Sequence, residues 1–164
     1  MKAAVVMGSK SDYEVLQKTV NTLKYFGVDV TVRVISAHRT PEEAHSFAKN
    51  AEAEGYEVII AAAGKAAHLA GVLAANTALP VIGLPVKSST MDGLDSLLST
   101  VQMPEGIPVA TVAINGAENA ALLAVQILGV KYGELKLKFK EYKAGLAEKV
   151  RKADSELKAE VERP

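Results

Sequence analysis

Five short apolar runs alternate along the chain with segments whose apolar residues return every three or four positions. The runs are Ala3 to Met7, Val28 to Ile35, Val58 to Ala63, Val81 to Val86 and Val109 to Ile114, and each predicts a strand. After the first run, Tyr13, Leu16, Val20, Leu23 and Phe26 keep helical spacing until Gly27 stops them. A second helix is predicted from Pro41 to about Glu54, with Thr40 as N-cap, Glu43 completing a capping box and Gly55 ending it. A third runs through about Thr77, and Pro80 breaks it. A short helix over Gly93–Gln102, capped by Ser88-Ser89-Thr90, follows, and after the turn Asn115-Gly116-Ala117-Glu118-Asn119 an Ala- and Leu-rich helix runs through about Leu128. Val28 to Ile35 alternates before it fills with β-branched residues, whereas a run apolar throughout, such as Ala3 to Met7, suits a parallel sheet covered on both faces. Strand and helix in regular alternation therefore predict an α/β chain: a three-layer, flavodoxin-like, open parallel sheet of five strands.

The chain changes character at Lys131. Leu135, Phe139, Tyr142, Leu146, Val150, Ala153, Leu157 and Val161 step by three and four through a charged background, predicting one long amphipathic helix. At ~1.5 Å per residue it would extend roughly 45 Å, longer than a small domain is wide. The expected division is a domain over 1–130 and a helical extension over 131–164 lying on neighbouring subunits, with Gly145 as the place for a bend. The helix before it, apolar nearly all round, is expected to be buried between subunits.

Composition narrows the partners. Lys+Arg and Asp+Glu both total 19, so no net field draws nucleic acid or anionic lipid, and a small molecule is the expected ligand. With no Cys there are no disulfides and no thiolate chemistry, which fits a reducing compartment. The N-terminal apolar run is too short for a signal peptide, and no run approaches the ~18 residues of a membrane span. A cytoplasmic protein is expected.

The polar turns that close the strands carry the chemistry. Gly8-Ser9-Lys10-Ser11-Asp12 presents hydroxyls and backbone N–H groups at a helix start, where phosphate is favoured. Ser36-Ala37-His38-Arg39-Thr40-Pro41 sets a near-neutral imidazole beside a permanent cation. Gly64-Lys65-Ala66-Ala67-His68 lets a ligand approach closely, with His68 as its polar handle. Singly, each reads as a helix cap, a solvated pair and a structural histidine. Together, at the carboxyl ends of neighbouring strands, they make a site for a phosphorylated substrate undergoing proton transfer. Neither a Walker lysine motif nor G-x-G-x-x-G is present. His45 shares a helix face with Glu42, yet no third ligand stands at metal-binding spacing.

Six blocks, in unbroken order over about residues 3 to 130, resemble the class I N5-carboxyaminoimidazole ribonucleotide mutases, the PurE family of purine biosynthesis: Met7-Gly8-Ser9-Lys10-Ser11-Asp12, Ser36-Ala37-His38-Arg39-Thr40-Pro41, Ala66-Ala67-His68-Leu69, Leu79 to Val86, Asp95-Ser96-Leu97-Leu98-Ser99 and Val101-Gln102-Met103-Pro104. The resemblance implies an isomerase without cofactor or metal that moves a carboxylate from exocyclic N5 to ring carbon C4. The product is 4-carboxy-5-aminoimidazole ribonucleotide. It implies His38 as general acid/base, protonating the departing nitrogen as CO2 leaves and taking the C4 proton after C4 attacks CO2. It implies Ser9, Asp12 and Arg39 as substrate-binding residues on the ribose phosphate, with Ser11, Ser36, Ala63, Gly64 and His68 lining the pocket. A homo-octamer with sites near subunit interfaces, and a synthetase supplying the N5-carboxylated nucleotide, are the implied partners.

The third loop departs from the family's usual Ala-Gly-Ala-Gly-Gly-Ala-Ala-His-Leu-Pro-Gly, reading Ala61-Ala62-Ala63-Gly64-Lys65-Ala66-Ala67-His68-Leu69-Ala70-Gly71. If position 65 needs φ > 0, lysine costs about 1 kcal/mol or more there, and Ala70 in place of proline loosens the turn. The alternative readings are a lyase joining CO2 directly to aminoimidazole ribonucleotide, a flavodoxin-like FMN carrier, which the lack of Trp disfavours, and a non-catalytic ligand binder.

Overall fold

The computed structural model describes residues 1–162, so the final Arg163 and Pro164 of the expected extension lie outside the described residues. The elements are β1 (Lys2–Met7), α1 (Tyr13–Phe26), β2 (Asp29–Val34), α2 (Pro41–Asn50), β3 (Val58–Gly64), α3 (Leu69–Ala74), β4 (Val81–Val86), α4 (Leu94–Val101), β5 (Ala110–Thr111), α5 (Ala117–Gly129) and α6 (Gly133–Val161). All five strands run parallel in the order β2-β1-β3-β4-β5. Helices cover both faces, which is why β1 after Lys2, β3 and β4 carry no polar side chain: successive side chains enter different cores. Ala3, Val5 and Met7 of β1, with Val58, Ile60 and Ala62 of β3, pack under α1 and α5, whereas Ala4, Val6, Ile59 and Ala61 pack under α2 and α3.

Gly83 is fixed by packing of this kind. A Cβ there would stand 2.3 Å from Thr100 Cγ2 and 2.9 Å from Val109 Cγ1, so α4 lies on β4 only because position 83 has no side chain. Pro85 shapes the neighbouring edge. Its carbonyl accepts from Asn115 N at 2.9 Å, so its nitrogen faces β5 with no hydrogen to donate. The ladder closes after Ile82↔Ala110 and Gly83↔Thr111, which reduces the expected Val109–Ile114 strand to two residues.

Two helices stop short of the predicted ends for one reason. The Asn50 side chain donates to Ser46 O and the Asn76 side chain to Val72 O, so these amides compete with the helical ladder at the ends of α2 and α3. The capping box does not form: Thr40 Oγ1 accepts from Ser36 N (3.0 Å) and donates to Ser36 O (3.1 Å). The Ser88–Thr90 hydroxyls do not cap α4, whose N-cap is Gly93; Ser88 Oγ instead lies 3.0 and 3.1 Å from the Asp95 carboxylate oxygens.

α5 is buried, but within the chain, between α1, α6 and the sheet, where Ala120, Ala121, Ala124 and Val125 leave no exposed surface. α6 runs unbroken through Gly145 for 29 residues, about 44 Å. Its first turns are fastened to the core by fully buried Leu135 and by Phe139 and Tyr142, whose ring centroids lie 6.3 and 5.7 Å from that of Phe26. The α5–α6 junction is tied down by Glu57, which receives Lys131 Nζ (2.8 Å) and Tyr132 OH (2.9 Å), and the lysine bond holds its carboxyl below the ordinary carboxylate range. From Lys143 to Glu162 every residue of the helix is exposed.

Candidate functional site

Strand order reverses between β1 and β3, and the crevice of an open parallel sheet lies at that crossing. A cavity of about 560 Å³ opens there at the carboxyl ends of the strands, bringing together Ser9, Ser11, Asp12, Ser36, His38, Arg39, Ala63 and Gly64. Each wall follows from local sequence. Ser9 caps a single 3-10 turn over Lys10–Asp12, accepting from Ser11 N at 3.3 Å, while Ser11 Oγ donates to Ser9 Oγ at 2.8 Å. These bonds keep both hydroxyls on the cavity side of the turn that starts α1. Burial pushes the Asp12 carboxyl above its ordinary range, partly offset by the Ser9 backbone and the Ser11 side chain.

Ser36 organises the second wall. Its hydroxyl accepts from Arg39 N (3.2 Å) and Arg39 Nε (3.3 Å), and its backbone N–H and C=O are both engaged by Thr40. Arg39 then reaches across to donate from Nη2 to Gly8 O at 2.9 Å, locking the β2 turn to the β1 turn. Both acceptors of the guanidinium are neutral, so its charge stays uncompensated and available to an anion.

His68 does not line the cavity. Its Nδ1 lies 2.8 Å from His38 Nε2, with the rings edge to face and centroids 5.0 Å apart. Only one proton fits between those nitrogens, so one ring donates and the other accepts. Gly64 brings the end of β3 against β4: a Cβ there would meet Val86 O at 3.3 Å. Beyond it Lys65 has φ 56, the left-handed conformation for which a cost was expected.

Lys87 and Ser88 also line the cavity and were not among the residues singled out for it. The available signal was strand order: in a 2-1-3-4-5 sheet β4 lies beside β3, so its carboxyl end joins the same rim, and Ser88-Ser89-Thr90 sits at that end. His45, weighed as half of a metal pair, bonds Asn76 Oδ1 at 2.7 Å through Nδ1. No Tyr or Phe lines the cavity among the described residues, so the flavin reading has no aromatic shelf here.

Residues 2–149 match the family described as AIR carboxylase. The chain is 61% identical over 141 residues to the N5-carboxyaminoimidazole ribonucleotide mutase of Saccharolobus solfataricus, covering 86% of this chain and 89% of that protein. It is 60% identical over 142 residues to the mutase of the same name from Pyrococcus abyssi, covering 87% and 82%. The crystal structure of Treponema denticola PurE superposes with a TM-score of 0.88 at 34% identity, covering 96% of this chain and 98% of that one. With a family model matching most of its length, two relatives at 60% identity or more and a matching fold with a cavity at the strand crossing, the chain belongs to the AIR carboxylase family.

Proposed function

We propose that the chain is an N5-carboxyaminoimidazole ribonucleotide mutase of purine biosynthesis, converting its substrate to 4-carboxy-5-aminoimidazole ribonucleotide. The observation that carries the reading is the His38–His68 contact at a cavity that the Ser9 and Ser11 hydroxyls and the Arg39 guanidinium also line. That lining suits a ribose phosphate: one uncompensated cation, two hydroxyls and the start of a helix. Asp12 accepts ribose hydroxyls when ionised.

His38 carries the chemistry. Its protonated ring gives a proton to N5 as the N5–carboxyl bond breaks, releasing CO2 and leaving aminoimidazole ribonucleotide. C4 of that electron-rich ring attacks the retained CO2, forming the new carbon–carbon bond. The proton on C4 passes to the now neutral imidazole, which returns His38 to its starting state. One group gives and takes a proton in each turnover, which an imidazole can do through its two ring nitrogens. His68 holds the His38 ring and stabilises its doubly protonated form by accepting from Nε2. The small residues Ala63, Gly64 and Ala66 leave room for CO2 beside the base.

We read residues 1–130 as the catalytic domain, and residues 131–164 as an extension that packs on neighbouring subunits of a cytoplasmic homo-octamer, with a synthetase supplying the substrate. The exposed Leu146, Val150, Leu157 and Val161 on the outer part of α6 support the packing.

The test offers purified protein two donors. Turnover of N5-carboxyaminoimidazole ribonucleotide in bicarbonate-free buffer is expected, and His38→Asn should cut kcat by about 10²–10⁴-fold while nucleotide binding survives. Turnover only of aminoimidazole ribonucleotide with CO2 would establish the direct carboxylase instead, and undiminished activity of His38→Asn would end the mechanism.

A further inference from the structure

The cavity holds more positive charge than its own residues neutralise. Arg39, Lys65 and Lys87 line it against a single carboxylate, Asp12, whose ionisation burial already opposes. Lys87 is spoken for, with Nζ 2.7 Å from Asp92 Oδ1. Arg39 is held by the neutral Gly8 O and Ser36 Oγ. Lys65, among the described residues, forms no ion pair at all. Two uncompensated cations thus stand on different walls, one at the end of β2 and one at the end of β3.

Lys65 also occupies a backbone position that resists it. At φ 56 a residue with a Cβ is disfavoured by about 1 kcal/mol relative to glycine. Its neighbours on the wall, Ala63, Gly64 and Ala66, are all small, so Lys65 supplies the long side chain of this stretch. Strain of this kind at a cavity rim is a pointer to ligand contact.

Granting the mutase reading, the substrate has two anionic ends, a phosphate and a carboxylate, and the phosphate takes the Arg39 wall. We propose that Lys65 is a substrate-binding residue whose ammonium pairs with the migrating carboxylate, on N5 before the reaction and on C4 after it. The pair exists with both carboxylated nucleotides and lapses while the carboxyl group is free, uncharged CO2. Lys65 therefore gives discrimination between carboxylated and decarboxylated nucleotide, and acts on affinity more than on the rate of proton transfer.

The test measures dissociation constants of aminoimidazole ribonucleotide and of 4-carboxy-5-aminoimidazole ribonucleotide for the intact protein and for Lys65→Met, Lys65→Gly and Lys65→Arg. The neutral variants should bind the carboxylated nucleotide about tenfold more weakly, a loss typical of one charge-assisted contact, with aminoimidazole ribonucleotide changed less than twofold. Lys65→Arg should restore the preference. Lys65→Gly should at the same time raise Tm, because glycine accepts φ 56, so weaker binding in that variant cannot be ascribed to unfolding. Equal losses for both nucleotides, or none for either, would overturn the assignment. Failure of the unaltered protein to bind either nucleotide would instead remove the mutase reading on which it rests.

Discussion

Asp12 shows how one residue can set a pH limit for a site. Its carboxyl is raised by loss of solvent, so the ionised form needed to accept a hydroxyl is lost at a higher pH than for an exposed aspartate. Substrate KM should therefore rise as pH falls through that raised value, and Asp12→Asn should flatten this acid limb while raising KM at neutral pH. The sign for stability is opposite: ionising a carboxyl in a place that disfavours its charge destabilises the fold as pH rises from the unfolded value, so Asp12→Asn should be at least as stable at pH 7. KM profiles and melting curves over pH check the two arms. At this scale the three polar turns could be found from residue type alone. What residue type did not give was the contacts: the Ser36 hydroxyl accepts from Arg39, and His68 Nδ1 meets His38 Nε2. Spacing along a strand–turn–helix unit says which end a side chain occupies, but partners 30 residues away are set by how the loops fold over one another.

Among the elements, β4 is the most constrained, being fully buried along its length and carrying both Gly83 and Pro85. Gly83→Ala should destabilise the fold by about 1–3 kcal/mol, as overpacking does, through displacement of Thr100 and the helix that bears it. Denaturant midpoints measure the loss, and pairing it with Thr100→Ala, which vacates the colliding methyl, should recover part of it. The apolar runs made β1, β3 and β4 legible because two-sided burial leaves no polar side chain in them beyond Lys2 at the start of β1. β5 was overcalled because its pairing depends on a nitrogen in another strand: Pro85 cannot donate, and nothing within Val109–Ile114 announces that. The early ends of α2 and α3 have a local cause, an asparagine at each, that periodicity alone does not weigh.

For the molecule as a whole, the outer part of α6 stands apart from the core, exposed at every residue from Lys143 to Glu162. Light scattering on the intact chain should give a mass of about eight times 17.3 kDa, and a chain ending after Tyr142 a smaller assembly. A single-chain mass for the intact protein would leave the exposed leucines and valines without the neighbour assigned to them. The two-sided core and the strand crossing that positions the cavity were readable from alternation of elements, whereas the route of the last helix was readable only as a length. Chain order carries one more consequence. Every residue that lines the cavity lies between Gly8 and Ser88, yet the face formed by Leu16, Val20 and Leu23 is closed by α5, with Thr19 Oγ1 donating to Ala117 O at 2.8 Å. On the ribosome the reactive loops thus emerge well ahead of their seal, and a nascent chain stalled before Ala117 would present an open greasy sheet to chaperones while already bearing all of its chemistry.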